Sequence, residues 1–366
     1  MQIAINARSI LLNQRTGIGR YTYHLLDSLG TIDADNEYIC HVPKRFFDFK
    51  RHLPDFSKFK NFKNRVDYFH QGIAKCDIYH LPCPGTIVPY NGKLIVTIHD
   101  MIYKTFPQGH TSHTIEMTEK YMQAITVRAD YIICISENTR QDLHNVFDIP
   151  PEKTGVVYNG VDHTKFYPLS SEEQQVAAAQ IKSLGVQLPY VLYVGTVEPR
   201  KNLAGLLESF ALLKAKNAFQ GQLVVAGMKG WMTENISTMI KDLGIDQDVI
   251  FTGYISDTQL CQLYNMAEVF VFPSFYEGFG FPILEAFCCG VPVITSTTSS
   301  CGEIAGDAAL RVNPKDKEAI AHAMEKILTD KVVSASLRQA GLNQANKFSF
   351  TRTAEKTLDV YRKICI

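Results

Sequence analysis

Short apolar segments alternate with helix-like segments along the whole chain, and this alternation restricts the folds that are open to it. The predicted strands are 3–5, 38–42, 78–80, 94–98, 131–135, 156–158, 190–194, 223–226, 249–251, 269–272 and 291–295. Helical patterns such as 203–213 and 236–243 lie between most of them. Alternation of this kind is typical of parallel sheets that carry helices on both faces. The sequence therefore predicts an α/β fold.

The length of the chain indicates two domains. With 366 residues it exceeds the roughly 150 to 200 residues of an ordinary domain. A polar stretch at 167–173 marks the boundary, so we place the domains at 1–165 and 166–348. Each begins with a strand, a glycine loop and a helix, which predicts two Rossmann-like domains facing one another across a cleft. Ligands of such sheets bind beyond the carboxyl ends of the strands.

The composition is that of a soluble globular protein. Apolar residues make up 46% and charged residues 20%, and the net charge is zero, which does not argue for a nucleic-acid partner. The sequence contains no run of about 18 apolar residues, so we expect no membrane span. No signal peptide is evident at the start. Nine cysteines without a Cys-x-x-Cys pair suit a reducing cytosol.

The segment 277–285 is the most informative motif. It follows a buried-looking strand and holds Glu277 and Glu285 on either side of a glycine loop, with Pro282 at the predicted first position of a helix. A helix start favours a phosphate, because its N–H groups are unpaired and its dipole end is positive. Two carboxylates beside it can hold sugar hydroxyls. The motif therefore predicts a phosphate-linked, hydroxyl-rich ligand such as a nucleotide sugar.

A second glycine loop places Arg200 and Lys201 just before a helix that starts near Asn202. Two cations oppose the positive end of the helix dipole, so they are unfavourable for local stability. A bound pyrophosphate would relieve that repulsion. A solvated basic turn explains this loop equally well when it is taken alone. The nearby glutamate motif favours the ligand interpretation.

The remaining motifs are less specific. The loop 16–20 opens the helix 21–29 but lacks the third glycine of a dinucleotide fingerprint, so it gives little support for NAD. His99 ends a predicted strand, where a structural hydrogen-bonding role is as reasonable as a ligand contact. The Asp-x-Asp at 33–35 lies in a polar turn, and we interpret it as part of a solvated loop. The histidines have no metal spacing, and we expect no metal and no cofactor.

Basic and aromatic residues are interleaved at 44–65. This pattern suits an anionic membrane surface, where rings enter the interface and cations meet lipid phosphates. It also fits phenylalanines that pack inward beneath solvated lysines. Stacking on single-stranded nucleic acid is a weaker third interpretation.

Together these motifs resemble the family-4 retaining glycosyltransferases, which have the two-domain fold called GT-B. The resemblance rests on Thr16-Gly17-Ile18-Gly19, His99-Asp100, Asn159-Gly160-Val161-Asp162, Pro199-Arg200-Lys201-Asn202 and the pair Glu277 and Glu285, in this order. It covers nearly the whole chain and is strongest from 190 to 313. It implies that a last helix, within 349–366, packs back on the first domain.

The resemblance also implies the site residues. The implied donor-binding residues are Gly17, Arg200, Lys201, Tyr254, Glu277, Gly278, Phe279, Gly280, Phe281, Ile283, Leu284 and Glu285. The implied catalytic residues are His99, Glu277, Arg200 and Lys201. In this assignment Glu285 holds the ribose, Glu277 contacts the transferred sugar, and Tyr254 lies near the base. Gly17 approaches the phosphate, and His99 contacts the sugar from the acceptor side.

The implied activity is metal-independent hexose transfer with retention of the anomeric configuration. We favour mannose from GDP-mannose, passed to a glycan or lipid-linked acceptor of surface polysaccharide assembly, with a UDP-sugar as the alternative donor. A non-catalytic nucleotide-sugar-binding protein and an NAD oxidoreductase are the other classes left open. The expected location is the cytoplasm, with peripheral contact to the inner membrane face through 44–65.

Overall fold

The structure is a computed structural model that describes residues 1–11, 17–43, 54–68, 71–228 and 235–365. These residues fall into two compact units. Unit 1 is Met1–Gly160 with Ser349–Ile366, and unit 2 is Val161–Phe348.

Unit 1 is built on a seven-stranded parallel sheet of order β3-β2-β1-β4-β5-β6-β7. Its strands are β1 Gln2–Asn6, β2 Glu37–Pro43, β3 Phe62–Asp67, β4 Ile78–Leu81, β5 Lys93–Ile98, β6 Tyr131–Cys134 and β7 Thr154–Val156. Its first helices are α1 Gly17–Ile32, α2 Ile102–Thr105, α3 Ser112–Arg128 and α4 Glu137–Val146. Apolar side chains fill both faces of the sheet, as expected for parallel strands between helices.

Unit 2 repeats this architecture with a six-stranded parallel sheet of order β10-β9-β8-β11-β12-β13. The strands are β8 Tyr190–Val194, β9 Gln222–Ala226, β10 Val249–Gly253, β11 Val269–Phe272, β12 Val293–Ser296 and β13 Leu310–Val312. The helices are α5 Ser171–Lys182, α6 Leu203–Ala215, α7 Ile236–Asp242, α8 Asp257–Met266, α9 Phe281–Cys288, α10 Ser299–Ala305, α11 Lys317–Thr329 and α12 Lys331–Ala345. Two Rossmann-like units confirm the α/β architecture predicted from the sequence.

The last helix, α13 (Phe350–Cys365), belongs to unit 1 and packs against α1. Its Tyr361 is fully buried and its hydroxyl lies 2.7 Å from His80 Nδ1. The other ring nitrogen of His80 lies 2.9 Å from the hydroxyl of Thr97 on β5. Burial lowers the pKa of His80 to about 3, so this histidine is a neutral link between α13 and the sheet.

The sequence prediction missed two strands, β3 and β13. Both are edge strands. The four central residues of β3 are exposed and mostly polar, so they lack the apolar run that reveals a buried strand. β13 is only three residues long, with one of them buried. The predicted strand 156–158 was also misplaced, because β7 spans Thr154–Val156.

The prediction of a glycine loop at 16–20 is wrong for residues 17–20, the part that the structure describes. Helix α1 begins at Gly17, so residues 17–20 form its first turn rather than a loop before it. Thr16 lies outside the described residues.

The basic and aromatic segment at 44–65 is described from residue 54 onward. There Phe56 and Phe62 are buried in the core of unit 1, and Phe59 packs against it. The inward-packing interpretation therefore holds for these three rings, while residues 44–53 lie outside the described part. Among the described residues, no helix is long and apolar enough to cross a lipid bilayer.

Candidate functional site

The strand order of unit 2 reverses between β8 and β11. These strands pair in parallel, but β9 and β10 extend the sheet on one side and β12 and β13 on the other. The loops that follow β8 and β11 therefore leave one sheet edge in opposite directions, and ligands of open α/β sheets bind in the crevice this creates. One loop carries Arg200 and Lys201, and the other carries Glu277.

Asn202 ties the two loops together. It caps α6, its backbone is left-handed with a φ of 55°, and its side chain is buried. The side-chain Nδ2 donates hydrogen bonds to the carbonyl oxygens of Pro273, at 3.1 Å, and Pro314, at 2.6 Å. The backbone N–H of Phe275 also donates to the Arg200 carbonyl at 2.8 Å. The position of the cations relative to Glu277 is thus fixed by the backbone.

Four charged side chains meet between the loops, and we call them the ion cluster: Glu198, Arg200, Lys201 and Glu277. The Glu277 carboxylate lies 2.9 Å from Arg200 Nη1 and 3.3 Å from Lys201 Nζ. Arg200 also pairs with Glu198. All four side chains are 12–14% exposed. The repulsion predicted between the two cations and the start of α6 is therefore offset within the chain by two carboxylates.

Glu277 is held in its charged form. Burial alone would raise its pKa, but the charges of Lys201 and Arg200 outweigh burial and bring the pKa below its usual value. The hydroxyl of Ser274 adds a hydrogen bond to Oε1 at 3.1 Å, and the backbone N–H of Glu277 donates to Ser299 Oγ at 3.0 Å. The site thus offers an ionised carboxylate of defined position beside two cations.

Gly195 makes room for Lys201 at the end of β8. A Cβ at Gly195 would lie 3.0 Å from Lys201 Cδ and 3.3 Å from its Nζ, and the φ of 154° is one that side-chain-bearing residues rarely adopt. This glycine therefore lets the lysine lie against the backbone of its own loop.

The glycine loop after β11 leads directly into α9. Gly280 precedes the helix with a φ of 107°, which favours glycine. Phe281 is the first helical residue, so Pro282 occupies the second position rather than the predicted first. The Ser300 hydroxyl lies 2.7 Å from the Glu277 carbonyl oxygen and 2.9 Å from that of Phe279. Ser300 on α10 thus fixes the loop from Gly278 to Gly280 by hydrogen bonds to its backbone.

Glu285 lies one turn into α9 and is 6% exposed. Tyr264 on α8, also buried, donates a hydrogen bond to Glu285 Oε2 at 3.2 Å. Ile283 and Leu284, which precede Glu285 on α9, have fully buried side chains that belong to the core. Only the backbone of these two residues is therefore available to a ligand.

His99 follows β5 in unit 1 and is 9% exposed. Its Nε2 lies 2.7 Å from the Pro82 carbonyl oxygen, which can only accept, so Nε2 carries a proton. Burial lowers the pKa of His99 despite the opposing effects of Pro82 and Asp100, so the ring is neutral at neutral pH. Nδ1 is then a hydrogen-bond acceptor. The ring of Tyr21 packs edge-on against the imidazole ring of His99.

Gly17 and Tyr254 are the other two predicted site residues. Gly17 is the first residue of α1 in unit 1. Tyr254 follows β10 and is 65% exposed. Within the described part of unit 2, Tyr254 forms no hydrogen bond with Arg200, Lys201 or either glutamate. The roles of both residues stay predictions.

Sequence reasoning missed the residues that support the site: Glu198, Ser274, Ser299, Ser300, Tyr264 and the bridging role of Asn202. The serines could have been found from topology, because β12 follows β11 and pairs with it, so their loops share one sheet edge. Tyr264 carries no comparable signal, since its contact with Glu285 depends on how α8 and α9 pack.

Two family descriptions match the chain in sequence. Residues 16–165 match Glycosyltransferase Family 4, and residues 177–345 match Glycosyl transferases group 1. O-antigen chain mannosyltransferase B of Escherichia coli is 32% identical over 287 residues, which is 78% of this chain and 74% of that protein. The serotype-specific mannosyltransferase WbdA of Escherichia coli is 30% identical over 294 residues, 79% of this chain but only 35% of WbdA.

The fold also matches solved structures. HepE of Anabaena, in complex with UDP and glucose, superposes with a TM-score of 0.73 over 99% of this chain and 100% of that one, at 15% identity. Such a match at low identity establishes the shared fold, which is the two-unit fold expected from the sequence motifs.

Proposed function

The chain belongs to glycosyltransferase family 4, and we propose that it transfers mannose from GDP-mannose to a glycan or lipid-linked acceptor in surface polysaccharide synthesis. The observation that carries this proposal is the half-buried ion cluster at the strand reversal of unit 2, followed on α9 by the buried Glu285. The transfer retains the anomeric configuration and requires no metal ion.

The donor diphosphate binds at Arg200 and Lys201 and faces the first turn of α9. In the structure both cations are paired with Glu277. An arriving diphosphate shares these cations with Glu277, whose carboxylate also accepts a hydrogen bond from a sugar hydroxyl. Glu285, already oriented by Tyr264, accepts hydrogen bonds from the ribose hydroxyls.

The chemical step breaks the bond between the sugar C1 and the diphosphate oxygen. The departing GDP gains negative charge, and the two cations and the N–H groups of α9 stabilise it where it develops. The acceptor hydroxyl attacks C1 on the same face, and its proton passes to a phosphate oxygen of GDP. Glu277 stabilises the positive charge on the sugar ring.

The pairing of Glu277 with two cations favours this route over a double displacement. A carboxylate nucleophile needs free electron density, and hydrogen bonds from Arg200 and Lys201 withdraw it. The depressed pKa of Glu277 keeps it charged, which suits electrostatic stabilisation of an oxocarbenium-like sugar.

The same cluster supports metal independence as part of the proposal. Arg200 and Lys201 supply two positive charges that can offset a diphosphate, which a divalent cation would otherwise do. EDTA is therefore expected to leave the transfer rate unchanged.

The choice of donor rests on the relatives. The Escherichia coli relative is named as an O-antigen chain mannosyltransferase, which supports mannose and a growing polysaccharide as acceptor. The Anabaena structure contains UDP and glucose, which supports a UDP-sugar as the second candidate. His99 is proposed to contact the sugar through Nδ1, which is an acceptor in the tautomer that Pro82 selects.

Contact with the membrane is a separate part of the proposal. It depends on the cations of 44–65, of which Lys58 pairs with Asp27 at 2.6 Å. Replacing Lys58, Lys60 and Lys63 by glutamine is expected to weaken co-sedimentation with vesicles rich in anionic lipid. Unchanged co-sedimentation would remove membrane contact and leave the transferase proposal intact.

The test is a transfer assay with a mannose oligosaccharide that carries a fluorescent label. GDP-mannose, UDP-glucose and UDP-N-acetylglucosamine are supplied in parallel, with and without EDTA, and proton NMR reads the new anomeric centre. We expect an α-linked product from GDP-mannose alone, equal rates with EDTA, and a strong loss of rate in Glu277→Gln. Product of inverted configuration would contradict the mechanism, and product from a UDP-sugar alone would contradict the donor.

A further inference from the structure

Two cysteines meet where α8 packs on α9. Cys261 lies in the middle of α8, and Cys289 directly follows α9. Their sulfur atoms are 3.9 Å apart, and both residues are 4% exposed. Neither residue is part of the ion cluster, and the transfer reaction does not use them.

The surroundings of Cys261 favour the thiolate. The thiol of Cys289 can donate to its sulfur, and Asn265 Nδ2 lies 3.6 Å from the same atom. The Cys289 interaction, followed by hydrogen bonds that include Asn265, lowers the pKa of Cys261 to about 7 against the effect of burial. The pKa of Cys289 is raised by burial and by Cys261. The pair is thus asymmetric, because the pKa of Cys261 is lowered and that of Cys289 is raised, so Cys261 forms a thiolate more readily.

A pocket has Cys261 in its wall. It has a volume of about 560 Å³ and lies between α5, α8 and the chain before α5, with Cys261 and Gln262 in its wall. A small molecule that enters the pocket therefore meets the wall that contains Cys261.

We propose that Cys261 is a peroxide-reactive cysteine and that Cys289 resolves it to a disulfide between α8 and α9. Hydrogen peroxide is the oxidant. The Cys261 thiolate attacks one peroxide oxygen, the O–O bond breaks, and after proton transfer Cys261 sulfenic acid and water result. The Cys289 sulfur then displaces the hydroxyl group from Cys261, and that group leaves with the Cys289 proton as a second water. Two thiols are oxidised and one peroxide is reduced.

The disulfide changes the geometry beside Glu285. A bonded sulfur pair is about 2.0 Å apart, so the helices or side chains must approach from the present 3.9 Å. Cys289 lies one turn after Glu285, and Cys261 lies one turn before Tyr264, whose hydroxyl binds Glu285. The disulfide is therefore expected to displace that hydrogen bond and weaken nucleotide binding, a consequence that rests on the proposed function.

The chemistry is tested on the full reduced chain treated with hydrogen peroxide. Intact mass and non-reducing peptide mapping are read for the wild type, Cys261→Ser, Cys289→Ser and the exposed control Cys365→Ser. We expect the wild type and Cys365→Ser to lose two hydrogen atoms and yield a Cys261–Cys289 cross-linked peptide. Cys289→Ser should accumulate sulfenic acid at Cys261, which a dimedone probe captures, and Cys261→Ser should give neither product.

Oxidation at Cys365 or elsewhere, with Cys261 reduced in the wild type, would overturn the proposal. The consequence for binding has its own readout, the Kd of GDP for reduced and oxidised wild type by calorimetry. We expect oxidation to raise the Kd about fivefold or more, and dithiothreitol to reverse the change. If the disulfide forms but the reduced chain binds neither GDP nor UDP, the proposed function fails and the redox proposal stands.

Discussion

At the scale of single residues, Glu277 determines the electrostatics of the candidate site. It pairs with both cations of the neighbouring loop, and although burial raises its pKa, their charges bring the pKa below the usual value. The ionised form is therefore favoured more strongly in the folded chain than in the unfolded chain, which makes the stability of the protein depend on pH.

Glu277→Gln tests this coupling while keeping the shape of the side chain. Because the pKa of Glu277 is lower in the folded chain, its contribution to stability is complete above the unfolded value of about 4.3 and is lost as the pH falls through the folded value. We expect wild type to be more stable than the variant at neutral pH, with a difference that shrinks below about pH 5. Urea unfolding at a series of pH values measures it.

Glu355→Gln is the matched control, since Glu355 is exposed on α13. It should change stability little at any pH. A Glu277 variant whose deficit grows on acidification would contradict the charge assignment.

The sequence identified the charged residues of the site but not their pairing. Glycine loops before helices pointed to Arg200, Lys201 and Glu277, because such loops have a chemical reason to hold phosphate. Their mutual contact depends on β8 lying beside β11, which neighbours in sequence cannot reveal. For the same reason the supporting serines and Tyr264 were not predicted.

At the scale of secondary-structure elements, Asn202 joins three segments of unit 2. It caps α6 and donates to the chain after β11 and after β13. Asn202→Ala removes the cap and leaves two carbonyl oxygens without this donor. The expected loss of stability is about 2–4 kcal/mol by urea unfolding.

Ser170→Ala is the control for the cap alone. Ser170 caps α5 at the surface and has no comparable bridging bonds to other strands. Its loss should cost about 1 kcal/mol. Equal effects of the two substitutions would show that Asn202 does not bridge the loops.

The hydrophobic pattern of the sequence predicted the interior strands but not two of the edge strands. Interior strands such as β8 and β11 were predicted with their observed bounds, because every residue in them is buried. The edge strands β3 and β13 were missed, because an edge strand is stabilised by one neighbour and tolerates polar residues. The start of α1 was misjudged because Gly17 and Gly19 resemble a loop.

At the scale of the whole molecule, the two units are not consecutive halves of the chain. α13 follows unit 2 in sequence but buries Ala354, Leu358 and Tyr361 in the core of unit 1. The stability of unit 1 therefore depends on residues that follow unit 2 in sequence.

Deleting residues 349–366 is expected to destabilise unit 1 selectively. Hydrogen–deuterium exchange should show loss of protection within Met1–Gly160 and retained protection within Val161–Phe348. Tyr361→Phe is a milder perturbation of the same contact than the deletion, since it removes only the hydroxyl beside His80. Equal loss of protection in both units would contradict the assignment of α13.

The central claim is that a nucleoside diphosphate binds at Arg200, Lys201 and the start of α9, and calorimetric titration with GDP and UDP tests it most directly. Lys201→Met removes one cation with little change in bulk, and Lys216→Met removes an exposed lysine of the same unit that pairs with Glu325. We expect the Kd to rise about tenfold or more in Lys201→Met and to stay at the wild-type value in Lys216→Met. Wild-type affinity in Lys201→Met, or no binding of either nucleotide to the wild type, would contradict the account.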